Sequence, residues 1–241
     1  MSFLKGLTKD DSIQEDGDYL GGGSRVLDTD VYDFTIDIAY LDTSKGGANS
    51  INFTFLNKEG KQLKQTLWVT SGTTKGCLNY YIDRNGKKRY LPGFTTADNI
   101  ALLATGKDLA SLSTQEKHIK VYNPDLNKEA PTPKQVIMDL VGKNITLGVV
   151  KNIRDKNIKN DSGEYVPSGE TREENEIDKV FRYKDKLTVT EIKAESTEPN
   201  FYNKWKEKNQ GEVFDKSSGS SPQTSTTAPT PDSKPRTSVF G

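Results

Sequence analysis

The sequence has one cysteine, one histidine and no net charge, and each of these shortages excludes a class of function. Cys77 has no partner for an intramolecular disulfide, and a structural zinc site needs about four Cys or His ligands. Any catalytic triad would have to use His118, which lies in a polar stretch without a nucleophile motif. We therefore expect His118 to be a surface or strand-edge residue, and we expect neither a metal nor a cofactor.

Hydrophobic residues are also scarce, and long apolar runs are missing. They make up 32% of the 241 residues, and 34 Lys and Arg balance 34 Asp and Glu. No run reaches the length of a membrane span, and Met1–Gly6 leads into polar sequence rather than the apolar core of a signal peptide. The sequence predicts a soluble intracellular protein, in which any contact with nucleic acid depends on local clusters of cations.

Composition divides the chain into three regions. Residues 1–23 are predicted to be a flexible acidic arm, residues 24–215 the folded domain, and residues 216–241 a disordered tail that is too polar to offset its ordering entropy. The end of the tail is the exception, because a basic pair precedes an apolar pair: Lys234, Arg236, Val239 and Phe240. A partner-binding peptide and an ordinary unstructured terminus both fit this pattern.

Apolar residues that recur with a period of two predict β-strands in the first third of the domain. The clearest set is Tyr32, Phe34, Ile36, Ile38 and Tyr40. The segments 51–55 and 63–70 repeat the pattern, so three consecutive antiparallel strands are expected. Asn85-Gly86 then predicts a hairpin with a type I′ turn, which needs positive φ at both central residues.

Helices are predicted at two places in the domain. Residues 96–105 have apolar residues at helical spacing before Gly106, and Thr132 followed by Pro133 and Gln135 resembles a capping box that opens a helix ending at Gly142. Further strands are expected at 145–153, 180–183 and 187–192, and Phe201, Tyr202 and Trp205 are spaced to dock a helical segment. This order predicts a mostly β fold, an OB-fold-like antiparallel barrel with an inserted hairpin and short helices.

The segment from Thr73 to Phe94 combines aromatic and cationic side chains, as single-stranded nucleic acid requires. Aromatic faces stack unpaired bases, and cations neutralise phosphates. The candidate stacking residues are Tyr80, Tyr81 and Tyr90, and the candidate phosphate ligands are Lys75, Arg84, Lys87, Lys88 and Arg89. Trp68 and Phe94 are weaker candidates because they suit the core. A solvated hairpin whose tyrosines pack on the barrel is the alternative.

Acidic residues offer little support for catalysis. Asp28, Asp30, Asp33 and Asp37 resemble a metal cluster, but the strand period favours solvated side chains. Two further basic sets, at 151–159 and 179–186, are interrupted by acids and favour solvated faces as well. We therefore predict a binding protein and not an enzyme. A virion assembly or scaffold protein is the first alternative, and a hydrolase or nuclease that uses the aspartates is the second.

Several short segments of the chain resemble single-stranded DNA-binding proteins of N4-like podoviruses, the Schitoviridae. They are Tyr90–Asp98 (YLPGFTTAD), Gly169–Asn175 (GETREEN), Asp178–Phe181 (DKVF), Lys204–Asn209 (KWKEKN) and Ser238–Gly241 (SVFG). The likeness runs from about Tyr19 to Asp215 and resumes at the last residues. It departs from the acidic tails of bacterial single-stranded DNA-binding proteins, because Lys234 and Arg236 outnumber Asp232 in this tail.

The resemblance implies a sequence-tolerant protein that coats and protects unwound phage DNA during replication and recombination in the host cytoplasm. Its expected partners are single-stranded DNA and, through the C-terminal tail, phage replication proteins and host RNA polymerase. The last of these contacts implies a role in transcription.

Overall fold

The computed structural model describes residues 26–123, 127–160 and 162–218. Within these residues the chain is mostly β. Its strands are β1 (Asp30–Thr43), β2 (Asn49–Leu56), β3 (Gln62–Trp68), β4 (Tyr80–Ile82), β5 (Lys88–Tyr90), β6 (Thr114–Asn123), β7 (Lys128–Ile137), β8 (Asn144–Lys159), β9 (Tyr165–Phe181) and β10 (Val213–Asp215). Its helices are α1 (Pro92–Thr105), α2 (Val189–Lys193) and α3 (Asn200–Asn209).

Eight strands form one sheet, and β4 and β5 form a separate hairpin. β1, β2 and β3 pair antiparallel in sequence order, and β1 also pairs antiparallel with the first half of β8. β9 covers the other edge of β8, so the central order is β3-β2-β1-β8-β9. The long β6–β7 hairpin joins β1 through the pair Tyr40 and Val136.

The predicted barrel is not closed, because its two edge strands, β3 and β9, form no ladder with each other. Among the described strands, β3 pairs only with β2, and β9 pairs only with β8. One hydrogen bond between the described residues of these strands crosses the seam: the backbone N–H of Ile177 in β9 donates to Oε1 of Gln65 in β3 at 3.4 Å. The two strands therefore approach each other without forming a ladder, which leaves space between them.

The first strand follows the predicted period only as far as a bulge. Phe34 and Ile36 are buried as expected, but the register with β2 shifts between Ile36 and Ile38. A bulge inserts one residue and moves every later side chain to the other face. Ala39 is therefore buried, whereas Ile38 and Tyr40, which were predicted to face the core, are only partly buried.

The first predicted helix is confirmed, and the second is wrong. α1 spans Pro92–Thr105 and ends at Gly106, whose φ of 80° suits a glycine. Residues 132–137 instead belong to β7, which pairs with β6 so that Pro133 lies opposite His118. Propensity at Thr132 and Pro133 is outweighed here by the burial of Val136 and Ile137 on the sheet. His118 lies on exposed strand β6, as predicted.

The last predicted strand pair is also wrong. β9 ends at Phe181, and the segment predicted as a returning strand contains helix α2. Thr188 caps α2: its hydroxyl accepts from the N–H of Glu191, whose carboxylate accepts from the N–H of Thr188. This local capping box fixes the helix where alternating residues suggest a strand.

Helix α3 and strand β10 fasten the C-terminal end of the domain to the sheet. Trp205 is 4% exposed, and its ring lies so close to Gly148 that a Cβ there would meet it at 3.1 Å. β10 then pairs in parallel with β8. The N–H of Gly211 donates to the carbonyl of Thr29 at 2.8 Å, so the beginning and the end of the domain adjoin.

Several predictions concern residues outside the described part of the chain. They are the acidic arm of residues 1–23 and the tail from residue 219 with Lys234, Arg236, Val239 and Phe240. Among the described residues, none of the helices has an apolar stretch of the length that a membrane span requires.

Candidate nucleic-acid interface

The seam between β3 and β9 opens into a groove of about 880 Å³, which we call the seam groove. Its walls are residues 65–68 of β3 and 176–180 of β9. Helix α1 and the start of α2 with its cap complete the lining with Pro92, Gly93, Thr95, Thr96, Asn99 and Thr188–Thr190. Three exposed aromatic side chains line it: Trp68, Tyr90 and Phe201 are 47%, 62% and 39% exposed. The open seam therefore presents several aromatic faces along one surface.

Close packing at Gly93 fixes helix α1 against the end of β3, which carries Trp68. A Cβ on Gly93 would lie 2.3 Å from the carbonyl oxygen and 2.9 Å from the nitrogen of Trp68. Only glycine allows the first turn of α1 to approach the end of β3 this closely. The same turn carries Phe94, whose ring lies 4.9 Å from that of Tyr90. Tyr90 is thereby held at the mouth of the groove.

The β4–β5 hairpin exists as predicted, but its turn differs. Gly86 has a φ of 74°, whereas Asn85 is not among the described residues with positive φ, so the turn is not type I′. The Asp83 side chain organises the loop instead, because its carboxylate accepts the N–H groups of Asn85 and Lys87, each at 2.9 Å. With this Asx-type turn Tyr80 pairs with Tyr90, one residue away from the pairing of Tyr81 with Tyr90 that a two-residue loop at Asn85-Gly86 would give.

The three candidate tyrosines lie on two faces of the hairpin. Tyr80 pairs directly with Tyr90, and Tyr81 pairs with Arg89. Paired residues share a face of the hairpin, and successive residues of a strand alternate between the two faces. The Tyr81 side chain therefore lies on one face, and those of Tyr80 and Tyr90 lie on the other. Of the three, only Tyr90 lines the seam groove, while Tyr81 is 45% exposed on the far face. The hairpin therefore does not present all three rings to one surface.

The candidate cations are likewise in different settings. The Nε atom of Arg89 lies 2.6 Å from the Asp83 carboxylate, and this bond, with the N–H of Lys87, holds the pKa of Asp83 below its ordinary value. The ammonium of Lys88 lies 4.8 Å above the Tyr80 ring. Arg84 and Lys87 are exposed at the tip of the hairpin, and Lys75 is exposed in the 3-10 turn Thr73–Lys75.

The acidic residues of the groove wall are engaged by neighbouring donors. Asp178 accepts the indole N–H of Trp205 at 2.6 Å. Glu176 Oε2 accepts from Asn152, Arg154 and Lys216 at 2.8–2.9 Å. Partial burial acts to raise the pKa of Glu176, but Lys216 and Arg154 outweigh it and the pKa is lowered. The positive charges of Lys216 and Arg154 offset the negative charge of Glu176, which would otherwise repel a polyanion.

The other basic sets are paired with acids over much of their length. Lys151 contacts Glu173 at 3.0 Å, Lys156 contacts Glu170 at 2.7 Å, and Arg182 contacts Asp185 at 2.6 Å. This agrees with their interpretation as solvated, charge-balanced faces. The partners come from adjacent strands or turns, which the sequence alone does not align.

Two of the candidate aspartates, Asp30 and Asp33, lie beside cations, and Asp37 is exposed on β1. Asp33 accepts from Lys186 Nζ at 2.6 Å, and Asp30 lies 3.7 Å from Lys206. The described residues contain no group of three or more His, Cys, Asp or Glu side chains with the geometry of a metal site.

Comparison with known proteins gives no family for this chain. No protein-family model matches it, and no curated protein matches it.

Sequence reasoning assigned too little weight to Trp68. Period-two alternation places Leu67 and Val69 in the core, as observed, and the same alternation places Trp68 on the outer face. That signal was sufficient to identify Trp68 as exposed. The contribution of Phe201 had no local signal, because only the fold brings α3 to the edge of the seam groove.

Proposed function

We propose that this chain is a sequence-tolerant, non-enzymatic single-stranded DNA-binding protein, and that the strand lies in the seam groove. One observation carries the proposal: Trp68, Tyr90 and Phe201 are all exposed and all line the same open groove. Base-aromatic stacking contributes about 1–3 kcal/mol per base and is tolerant of sequence. A duplex keeps its bases stacked and offers no free faces, so the groove favours single strands.

The strand order supports an OB-like fold as part of this proposal. An OB fold is a five-stranded, partly open Greek-key barrel. Here the order β3-β2-β1-β8-β9 follows that arrangement. Along the chain, α1 lies between β3 and β8, and the β4–β5 hairpin is inserted between β3 and α1. In this assignment the seam is the open part of the barrel, and β6–β7 is a second insertion.

The basic hairpin supplies the electrostatic part of the proposal. Arg84, Lys87 and Lys88 lie on the same short hairpin as Tyr90. Neutralised phosphates release counterions, so affinity should fall steeply with salt. The resemblance to N4-like single-stranded DNA-binding proteins adds the setting: the protein would coat unwound phage DNA in replication and recombination, with its tail contacting replication proteins and host RNA polymerase.

The two tryptophans allow a direct test, because Trp205 is 4% exposed and Trp68 is 47% exposed. A labelled oligonucleotide is titrated by anisotropy at two salt concentrations, and tryptophan fluorescence is recorded in parallel. We expect quenching on binding, weaker binding at high salt, and weak binding to duplex. Trp68→Phe, which keeps an aromatic face, should retain most affinity and lose most of the quenching. Absence of association in dilute buffer would contradict the proposal.

An assembly or scaffold protein is the second candidate, and the end of the β8–β9 hairpin favours it. Ile158 and Tyr165 are 54% and 70% exposed near this end. Exposed apolar side chains on an extended hairpin suit contacts between copies. Sedimentation without DNA separates the candidates: self-assembly that is lost on Ile158→Lys, in a protein that does not bind oligonucleotides, would favour the scaffold role.

A further inference from the structure

A second groove of about 430 Å³ continues from the seam groove along helix α3. The two grooves share Asp178, Lys179 and Phe201, so Phe201 stands at the junction. We call this second space the lysine groove, because four lysines line it: Lys179, Lys204, Lys208 and Lys216.

Two of these lysines form salt bridges with carboxylates of the described residues, and two do not. Lys216 Nζ lies 2.9 Å from Glu176, and Lys179 Nζ lies 3.6 Å from Asp178. Lys204 and Lys208 are exposed and form no salt bridge with any residue that the structure describes. They are four residues apart on α3, so their side chains are neighbours on one helix face.

The same helix face carries Phe201, three residues before Lys204. α3 therefore presents an aromatic ring and then two cations in a row, from the junction along the lysine groove. On the opposite side of α3, Lys206 faces Asp30 at 3.7 Å. The lysines of α3 thus have distinct environments, and the pair without acidic partners is the one that lines the groove.

We propose that the lysine groove is the continuation of the DNA path, in which Lys204 and Lys208 bind the phosphates of nucleotides beyond those stacked in the seam groove. The proposal rests on the proposed function. A single strand fits both grooves at once, because it carries planar bases for Trp68, Tyr90 and Phe201 and regularly spaced anions for the lysines.

The chain's own terminal segments suit this path less well. Residues 219–241 contain Lys234 and Arg236 against Asp232, so the net charge of their side chains has the same sign as the lysines. The acidic segment 9–18 has suitable charge, but the one aromatic residue beside it, Tyr19, compares with three aromatic side chains that line the adjoining seam groove. Charge and aromatic complementarity together favour nucleic acid.

The test compares Lys204→Gln/Lys208→Gln with a matched control, Lys117→Gln/Lys120→Gln, which removes two exposed charges from β6. The full-length protein is titrated with a labelled oligothymidylate across a range of salt concentrations, after melting curves confirm that both variants fold. Each phosphate contact on a single strand contributes about 0.7 to the slope of log K against log salt. We expect the α3 variant to lose about 1.4 from this slope, and the control to keep the wild-type slope.

Each other outcome has a defined meaning. Wild-type binding with equal slopes in all three proteins overturns the lysine-groove path and leaves the proposed function standing. Equal losses in both variants indicate a general charge effect and also overturn the path. Tighter binding by the α3 variant would mean that the lysines hold the acidic arm rather than DNA. No binding by the wild-type protein removes the proposed function and this inference with it.

Discussion

Gly93 lies against the backbone of Trp68, and no other residue type fits there without movement of the helix or the strand. Its missing Cβ would be 2.3 Å from the Trp68 carbonyl oxygen, which belongs to backbone and cannot rotate away. The first turn of α1 and the end of β3 are therefore fixed relative to each other at the wall of the seam groove. The position of Trp68 and Tyr90 in one groove depends on this approach.

Gly93→Ala should destabilise the domain by about 1–3 kcal/mol, as overpacking of a dense site does. Urea unfolding measures this change directly. Gly46→Ala is the matched control, because a Cβ there would meet only the Ser44 hydroxyl at 3.9 Å. Equal stability of the two variants would show that α1 can move away from β3 at little cost.

The two tryptophans should separate binding from stability. Trp68→Ala should weaken binding of single-stranded DNA by about 5- to 150-fold, the effect of one lost stacking contact, with little change in the unfolding free energy. Trp205→Ala should cost about 3–5 kcal/mol of stability, because it empties a buried site. Urea titrations and oligonucleotide titrations of both variants check this. A large loss of stability in Trp68→Ala would indicate a structural role instead.

The two faces of the β4–β5 hairpin predict different effects for its tyrosines. Tyr90→Ala should weaken binding about 5- to 150-fold, because Tyr90 lines the seam groove. Tyr81→Ala should have a smaller effect, since Tyr81 lies on the opposite face with Arg89. Anisotropy titrations at one salt concentration compare the two. Equal losses would mean that the strand contacts both faces of the hairpin.

Glu176 should make the stability of the domain depend on pH. Its pKa is lowered in the folded state because Lys216 and Arg154 outweigh the effect of partial burial. Its stabilising contribution is therefore present above the unfolded pKa, about 4.3 for glutamate, and is lost as pH falls through the folded value. Glu176→Gln should show a smaller loss of stability than wild type between about pH 5 and pH 3. Unfolding free energies across this range test the difference, and parallel curves for the two proteins would contradict it.

Local sequence patterns predicted the strands and hairpins well where one face of a strand is buried. Alternation located β2 and β3, and the Asn85-Gly86 signal located the β4–β5 hairpin. The pattern became misleading in β1 after Ile36, because a bulge adds a residue without any clear sequence signal. Ile38 and Tyr40 were thereby assigned to the wrong face.

Helix signals were less reliable, because capping residues also occur in strands and turns. Thr132 and Pro133 match a helix start, yet pairing with β6 and the burial of Val136 hold the segment in β7. Conversely, Thr188 and Glu191 form a real capping box in a segment that alternates like a strand. Tertiary burial decided the first case, and local hydrogen bonds decided the second.

The candidate site was only partly accessible from sequence. The basic, aromatic hairpin is a local feature and is visible in the order of residues. The seam groove is not, because β3, β9, α1 and α3 are far apart in the chain and meet only in the fold. The pairing of Arg89 with Asp83 was also unseen, since it depends on the geometry of the turn.

The bond between Gly211 and Thr29 has a practical consequence for engineering. Thr29 precedes β1 and Gly211 precedes β10, and both neighbouring strands pair with β8, so the two ends of the domain can be joined by a linker and new termini opened elsewhere. The exposed loop at 57–61, between β2 and β3, is a suitable place for the new termini. It is distant in sequence from α3, the helix that contributes to both grooves. Such a circular permutant would keep the sheet intact while removing both natural terminal segments from the domain.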